Sequence, residues 1–162
     1  MTKILMVCLG NICRSPLAEG ILRDKVAKAN LTTPQVDSAG TAPYHIGENP
    51  DKRSILNAHK HGIDISKHIG RQLNRTDFQT YDRIYVMDES NYGNAIELAG
   101  DDSEKEKLKL ILDELNPGMG QSVPDPYYGG EDGFEEVFQL LDKACDVILN
   151  ELVNTIRDQK KI

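Results

Sequence analysis

From Lys3 to Cys8 the chain reads KILMVC, an apolar run that stops at a loop containing Gly10 and Asn11. A run without polar alternation predicts a strand buried on both faces of a parallel sheet. Ser15 then serves as a natural helix cap with Pro16 at the first helical position, and Ala18, Ile21, Leu22, Val26 and Ala29 recur on one helical face. The alternation repeats. QVDSAG (35–40) predicts a strand, and residues 49–62 a helix opened by Asn49-Pro50 and closed by Gly62. RIYVMD (83–88) is the next strand, followed by a helix reaching toward Gly100, the charged DDSEKEK as a solvated connection, and the strand KLKLIL (107–112). The last helix is the most regular: Phe134, Val137, Phe138, Leu141, Cys145, Ile148, Leu149, Leu152 and Ile156 form one stripe, which places Cys145 in the core. Strands separated by helices predict an α/β fold, a four-stranded parallel sheet with helices on both faces, in one domain over residues 1–162. Ligands in such sheets bind at the carboxyl ends of strands beside helix N-termini, where residues 8–15 fall.

Composition narrows the partners. At 162 residues, 39% hydrophobic and 28% charged, the chain suits a soluble domain with a core of its own. It has no run near the ~20 apolar residues that span a bilayer, and its N-terminus lacks the pattern of a secretory signal, so a cytoplasmic location is expected. A net charge of -7 argues against nucleic acid and anionic membrane as partners. Three cysteines do not make a disulfide framework, and the histidines (His45, His59, His61, His68) show no matching cysteine pair for zinc. No metal or cofactor is expected.

Five residues, LGNIC, separate Cys8 from Arg14, and Ser15 follows. A glycine-containing loop of that length leading into a helix can turn the backbone N–H groups of Leu9, Gly10, Asn11, Ile12 and Cys13 toward one anion, with the helix dipole adding positive potential. Arg14 adds a rigid fork suited to two phosphate oxygens. The same field favours the thiolate of Cys8, which Ser15 can hydrogen-bond. The bland alternative is a strand that ends in a packed cysteine, and only the strand-loop-helix context raises the motif above chance. Attack on a phosphate ester also needs an acid for the departing oxygen. VPDPYYGGEDG (123–133) offers Asp125, stiffened by Pro124 and Pro126, with Tyr127 and Tyr128 as aromatic walls; alone it would read as a surface turn.

VCLGNICRSP, VDSAG with Tyr44 downstream, HGIDISKHIGRQL, MDESN and DPYYG stand here in the order seen in the low-molecular-weight protein tyrosine phosphatases, and the chain resembles that family over nearly its whole length. The resemblance implies a flavodoxin-like fold and hydrolysis of phosphotyrosine in proteins through a phosphocysteine, without metal; a monomer is expected. It makes Cys8 the nucleophile, Arg14 the phosphate binder and Asp125 the general acid. Asn11 and Ser15 then support the loop, Ser38 and His68 back them, and Tyr44 and Tyr127 wall the substrate crevice. Two relatives share the fold with different chemistry. Arsenate reductases need further cysteines that residues 83–100 lack, whereas arginine phosphatases favour a small threonine where this chain has Ile12, so phosphoarginine is the alternative substrate.

Overall fold

A computed structural model describes residues 1–161. The apolar run becomes β1 (Lys3–Cys8), which pairs in parallel with β2 (Gln35–Gly40) on one side and β3 (Arg83–Val86) on the other, with β4 (Leu108–Leu110) beyond β3. The order β2-β1-β3-β4 is that of flavodoxin-like doubly wound sheets, and it puts the switch point between β1 and β3. Both faces are covered, which is why β1 shows no polar alternation. Ile4, Met6 and Cys8 pack with α1 (Arg14–Lys28) and the long α6 (Glu131–Lys160). Leu5 and Val7 face Phe78 of α3 (Asp77–Thr80) and Ala95 of α4 (Glu89–Ile96). Cys145 is fully buried on the α6 stripe, as its spacing predicts.

Helix boundaries depart from the sequence reading for local reasons. Helix α1 begins at Arg14 with Cys13 in the cap position, and Ser15 caps nothing because its hydroxyl turns toward the loop. Helix α2 (Lys52–Lys60) is capped by Asp51, whose carboxylate accepts the Arg53 N–H, so Asn49-Pro50 lie outside it. The third strand stops at Val86 and frees Asp88 to cap α4, which ends at Ile96, short of Gly100. The charged connection contains α5 (Asp102–Lys105), where Glu104 is buried and pairs with Arg75 at 2.7 Å. Ile111 and Leu112 stay buried in a 3-10 turn after β4, so the apolar pattern outlasts the strand.

Among the described residues no helix is long and apolar enough to cross a membrane.

Candidate active site

Residues 9–13 form the loop at the carboxyl end of β1. Its carbonyls are used on the outside: Cys8 and Leu9 accept from the Thr41 and Ala42 N–H groups at 2.9 Å each, Ile12 from Asp51 N–H at 2.8 Å, and Cys13 from the Ser54 hydroxyl at 3.1 Å. Among the described residues the N–H groups of residues 9–13 find no protein acceptor. They sit ahead of the α1 N-terminus, and such a set of donors suits an anion. Gly40 makes the close passage possible, since a side chain there would bring its Cβ within 2.7 Å of the Leu9 carbonyl oxygen.

Asn11 holds the loop from beneath. It is fully buried with φ of 58°, a left-handed conformation that a non-glycine residue adopts at a cost. Its amide nitrogen donates to Ser15 Oγ at 2.7 Å and Ser38 Oγ at 3.0 Å, while its oxygen accepts the Arg71 N–H at 3.1 Å and faces His68 Nε2 at 2.9 Å. The Arg71 N–H can only donate, which fixes the orientation of the amide, and His68 Nε2 must then carry a hydrogen. The Ser38 hydroxyl donates to Glu19 Oε1 at 2.7 Å. With Ser15 Oγ accepting from Asn11, its own hydrogen is free for Cys8 Sγ at 3.0 Å. Burial raises the Glu19 carboxyl above its ordinary range, against the Ser38 hydrogen bond and the Arg23 charge.

Arg14, almost completely buried, has Nη1 tied to Asp88 Oδ2 at 2.7 Å and the Val123 carbonyl at 3.0 Å. Its Nε and Nη2 make no hydrogen bond among the described residues, although Nη2 lies 3.6 Å from Asp125 Oδ2. The fork is thus aimed by one arm and open on the other. Asp125 is more than a third exposed, and its Oδ1 accepts the Tyr127 N–H at 3.1 Å.

A cavity of about 220 Å³ joins these groups. Cys8, Cys13, Arg14 and Asp125 line it together with Leu9, Gly10 and Ile12, and Tyr44, His45, Tyr127 and Tyr128 surround it. Tyr44 is largely exposed, and the Tyr127 ring meets Tyr128 edge-on at 5.0 Å. The Asn11 and Ser15 side chains do not line the cavity and instead brace the loop from beneath. Ser38 and His68 lie behind them, away from the cavity. Cys13 packs with Ile12 and Phe134, and burial pushes its thiol far up. The sequence reading missed Asp88, Glu19, Arg71 and His45, the last paired with Glu48 and 6.5 Å from the Tyr127 ring. Of these, Asp88 carries a local signal, an acidic residue just ahead of a helical stretch.

Residues 3–160 match the family model described as low molecular weight phosphotyrosine protein phosphatase. A Schizosaccharomyces pombe protein of that name is 43% identical over 148 residues, covering 88% of this chain and 94% of its own. A protein tyrosine phosphatase structure from Entamoeba histolytica superposes with a TM-score of 0.89 at 36% identity, covering 96% of this chain and 99% of its own. A Drosophila arginine phosphatase structure gives 0.86 at 32% identity, covering 93% of this chain and 98% of its own.

Proposed function

The chain belongs to the low molecular weight phosphotyrosine protein phosphatase family and is a protein-tyrosine phosphatase of cysteine-based mechanism, and we propose that Cys8, Arg14 and Asp125 carry its chemistry. The observation that supports this most is that Cys8, Arg14 and Asp125 line one cavity with the loop whose N–H groups, like Nε and Nη2 of Arg14, have no hydrogen-bond acceptor among the described residues. Held there, a phosphate monoester presents its phosphorus to the Cys8 thiolate. Sulfur attacks, the P–O bond to the leaving group breaks, and Asp125 gives its proton to the departing oxygen. The phosphocysteine is then hydrolysed: Asp125 takes a proton from water, the water oxygen attacks phosphorus, and the S–P bond breaks to return the thiolate. The Ser15 hydroxyl, oriented through Asn11, stabilises that sulfur as it leaves. Arg14 and the loop N–H groups bear the charge that builds on the equatorial oxygens in both steps.

Phosphorylated proteins are the substrate class, with the phosphotyrosine ring between Tyr44 and Tyr127. Phosphoarginine is the competing substrate, because the chain is also similar to the Drosophila arginine phosphatase. Ile12 on the cavity wall favours the aromatic ring over the smaller, charged guanidinium. Cys8, Arg14 and Asp125 all line one cavity of this chain, so the proposed site is complete without a second copy, and a nucleophilic thiol suits the reducing cytoplasm. The deciding experiment compares phosphotyrosine, phosphoarginine and phosphoserine peptides as substrates in the presence of a chelator. Turnover of phosphotyrosine in preference to the others is expected; faster release from phosphoarginine would replace the substrate, and no turnover of any would end the reading.

A further inference from the structure

Outside the chemistry just described, one side chain grips the loop that carries Asp125 at two of its carbonyls and one of its rings. Arg53, near the start of α2, donates from Nη2 to the Tyr127 carbonyl at 2.9 Å and from Nη1 to the Gly129 carbonyl at 3.1 Å. Its guanidinium carbon lies 5.6 Å from the Tyr127 ring centre and 4.9 Å from that of Phe134. Nε and Nη2 also grip the Asp51 carboxylate, at 3.0 Å each, and the Asp51 N–H is bound to the Ile12 carbonyl of the anion loop. Among the described residues, no other side chain outside the loop hydrogen-bonds to residues 124–130. The loop is otherwise approached by Arg14 at Asp125 (3.6 Å) and by the His45 ring at Tyr127 (6.5 Å), while the Gly130 carbonyl accepts the Gly133 N–H at 3.1 Å, Pro126 is buried, and the other hydrogen bonds run within the loop.

We propose that Arg53 is the positioning residue of the acid loop, setting where the Asp125 carboxylate stands relative to the Cys8 sulfur. This rests on the assignment of Asp125 as the acid. The Tyr127 peptide groups carry the effect: the N–H on one side binds Asp125 Oδ1, and the carbonyl on the other binds Arg53. The two groups sit on the peptide planes either side of the Tyr127 Cα, so holding the carbonyl narrows the positions open to the N–H. A planar fork can hold a carboxylate and two carbonyls together while lying on aromatic rings, and the point charge of a lysine cannot. Through Asp51 the same fork refers the acid loop to the anion loop, so the two halves of the site share one anchor.

The test measures kcat/KM for aryl phosphates of graded leaving-group acidity, with Arg53→Ala and Arg53→Lys made in the wild type and in Asp125→Asn. A misplaced general acid hurts poor leaving groups, so Arg53→Ala is expected to lower kcat/KM for phenyl phosphate by about 10- to 100-fold, within the 10²- to 10⁴-fold that an acid supplies. Dinitrophenyl phosphate should lose far less, Arg53→Lys should fall between, and inhibition by inorganic phosphate should persist. In Asp125→Asn the Arg53 change should add almost nothing. An equal loss across the leaving groups, or a full additional loss in Asp125→Asn, would overturn the proposal, and if Arg53→Ala does not fold, the same outcomes are read from Arg53→Lys. A wild type inactive toward every aryl phosphate would overturn the assignment of the acid, and this proposal with it.

Discussion

Residues 8–15 are buried except at Leu9 and Gly10, and their side chains bond to one another, to Ser38 of β2 and to Asp88, the cap of α4. Residues 124–130, across the same cavity, are exposed except for Pro126 and are tied to the rest of the fold by a few contacts. In its proposed role the anion loop must present its donors in one geometry before any substrate arrives, since reorganising them during the reaction would cost the stabilisation they provide. As the proposed acid, Asp125 has to meet leaving groups of different substrates, and a lightly held loop can do that. One cavity thus joins an over-determined wall to an adaptable one.

The comparison is broken most directly on the anion side. Cys8→Ser should remove turnover, by about 10³-fold or more, while inorganic phosphate still competes for the site, because the N–H cradle and Arg14 remain. Measurable turnover at a comparable rate would take Cys8 out of the mechanism. Arg14→Lys should be nearly as severe, since a lysine cannot hold Asp88 and Val123 and also bind two phosphate oxygens. On the acid side the loss should depend on the substrate. Asp125→Ala is expected to slow phenyl phosphate by about 10²- to 10⁴-fold and dinitrophenyl phosphate much less. A flat loss across the series would mean that Asp125 only shapes the loop.

Stability sharpens the same contrast with smaller numbers. Asn11→Ala leaves buried Ser38, Ser15 and Arg71 groups without their partner and keeps the left-handed backbone, so it should cost about 2–4 kcal/mol in denaturant unfolding. Asn11→Gly, free of the backbone strain, should be milder by about 1 kcal/mol. Asp125→Ala should shift the unfolding midpoint very little; an equal destabilisation would show that the acid loop is as integral as the anion loop. The smallest effect is that of His68. Burial, then the Arg23 and Arg71 charges, hold its imidazole below the ordinary 6.5, with Asp37 opposing and Glu19 3.6 Å away. The unfolded chain therefore binds this proton more readily than the folded protein. Its contribution to stability should rise as pH climbs from the lowered value to 6.5 and stay level above it. His68→Gln should flatten that part of the pH–stability curve, and an unchanged curve would show that His68 does not titrate in this window.

Much of this protein was legible in local patterns. Strand-length segments alternating with helical ones, apolar runs above all at β1, and the α6 stripe identified four strands and the long helix, because burial on one or two faces leaves a periodicity that needs no tertiary knowledge. The strand-loop-helix turn that carries Cys8, the loop, Arg14 and Ser15 was also legible, because these residues are neighbours in the chain. Element ends were less so: Ile111 and Leu112 are as apolar as a strand requires, yet they turn, and Glu104 looks solvated in a charged stretch but is buried against Arg75. What only the tertiary structure decided is which distant groups face that loop. Val123 meets Arg14 across 109 positions of sequence and Arg53 meets Tyr127 across 74, and no spacing rule reports such pairs. They are set by the parallel sheet, which brings the ends of β1 and β3 to one edge, and by backbone amides and carbonyls whose partners depend on packing and not on residue type.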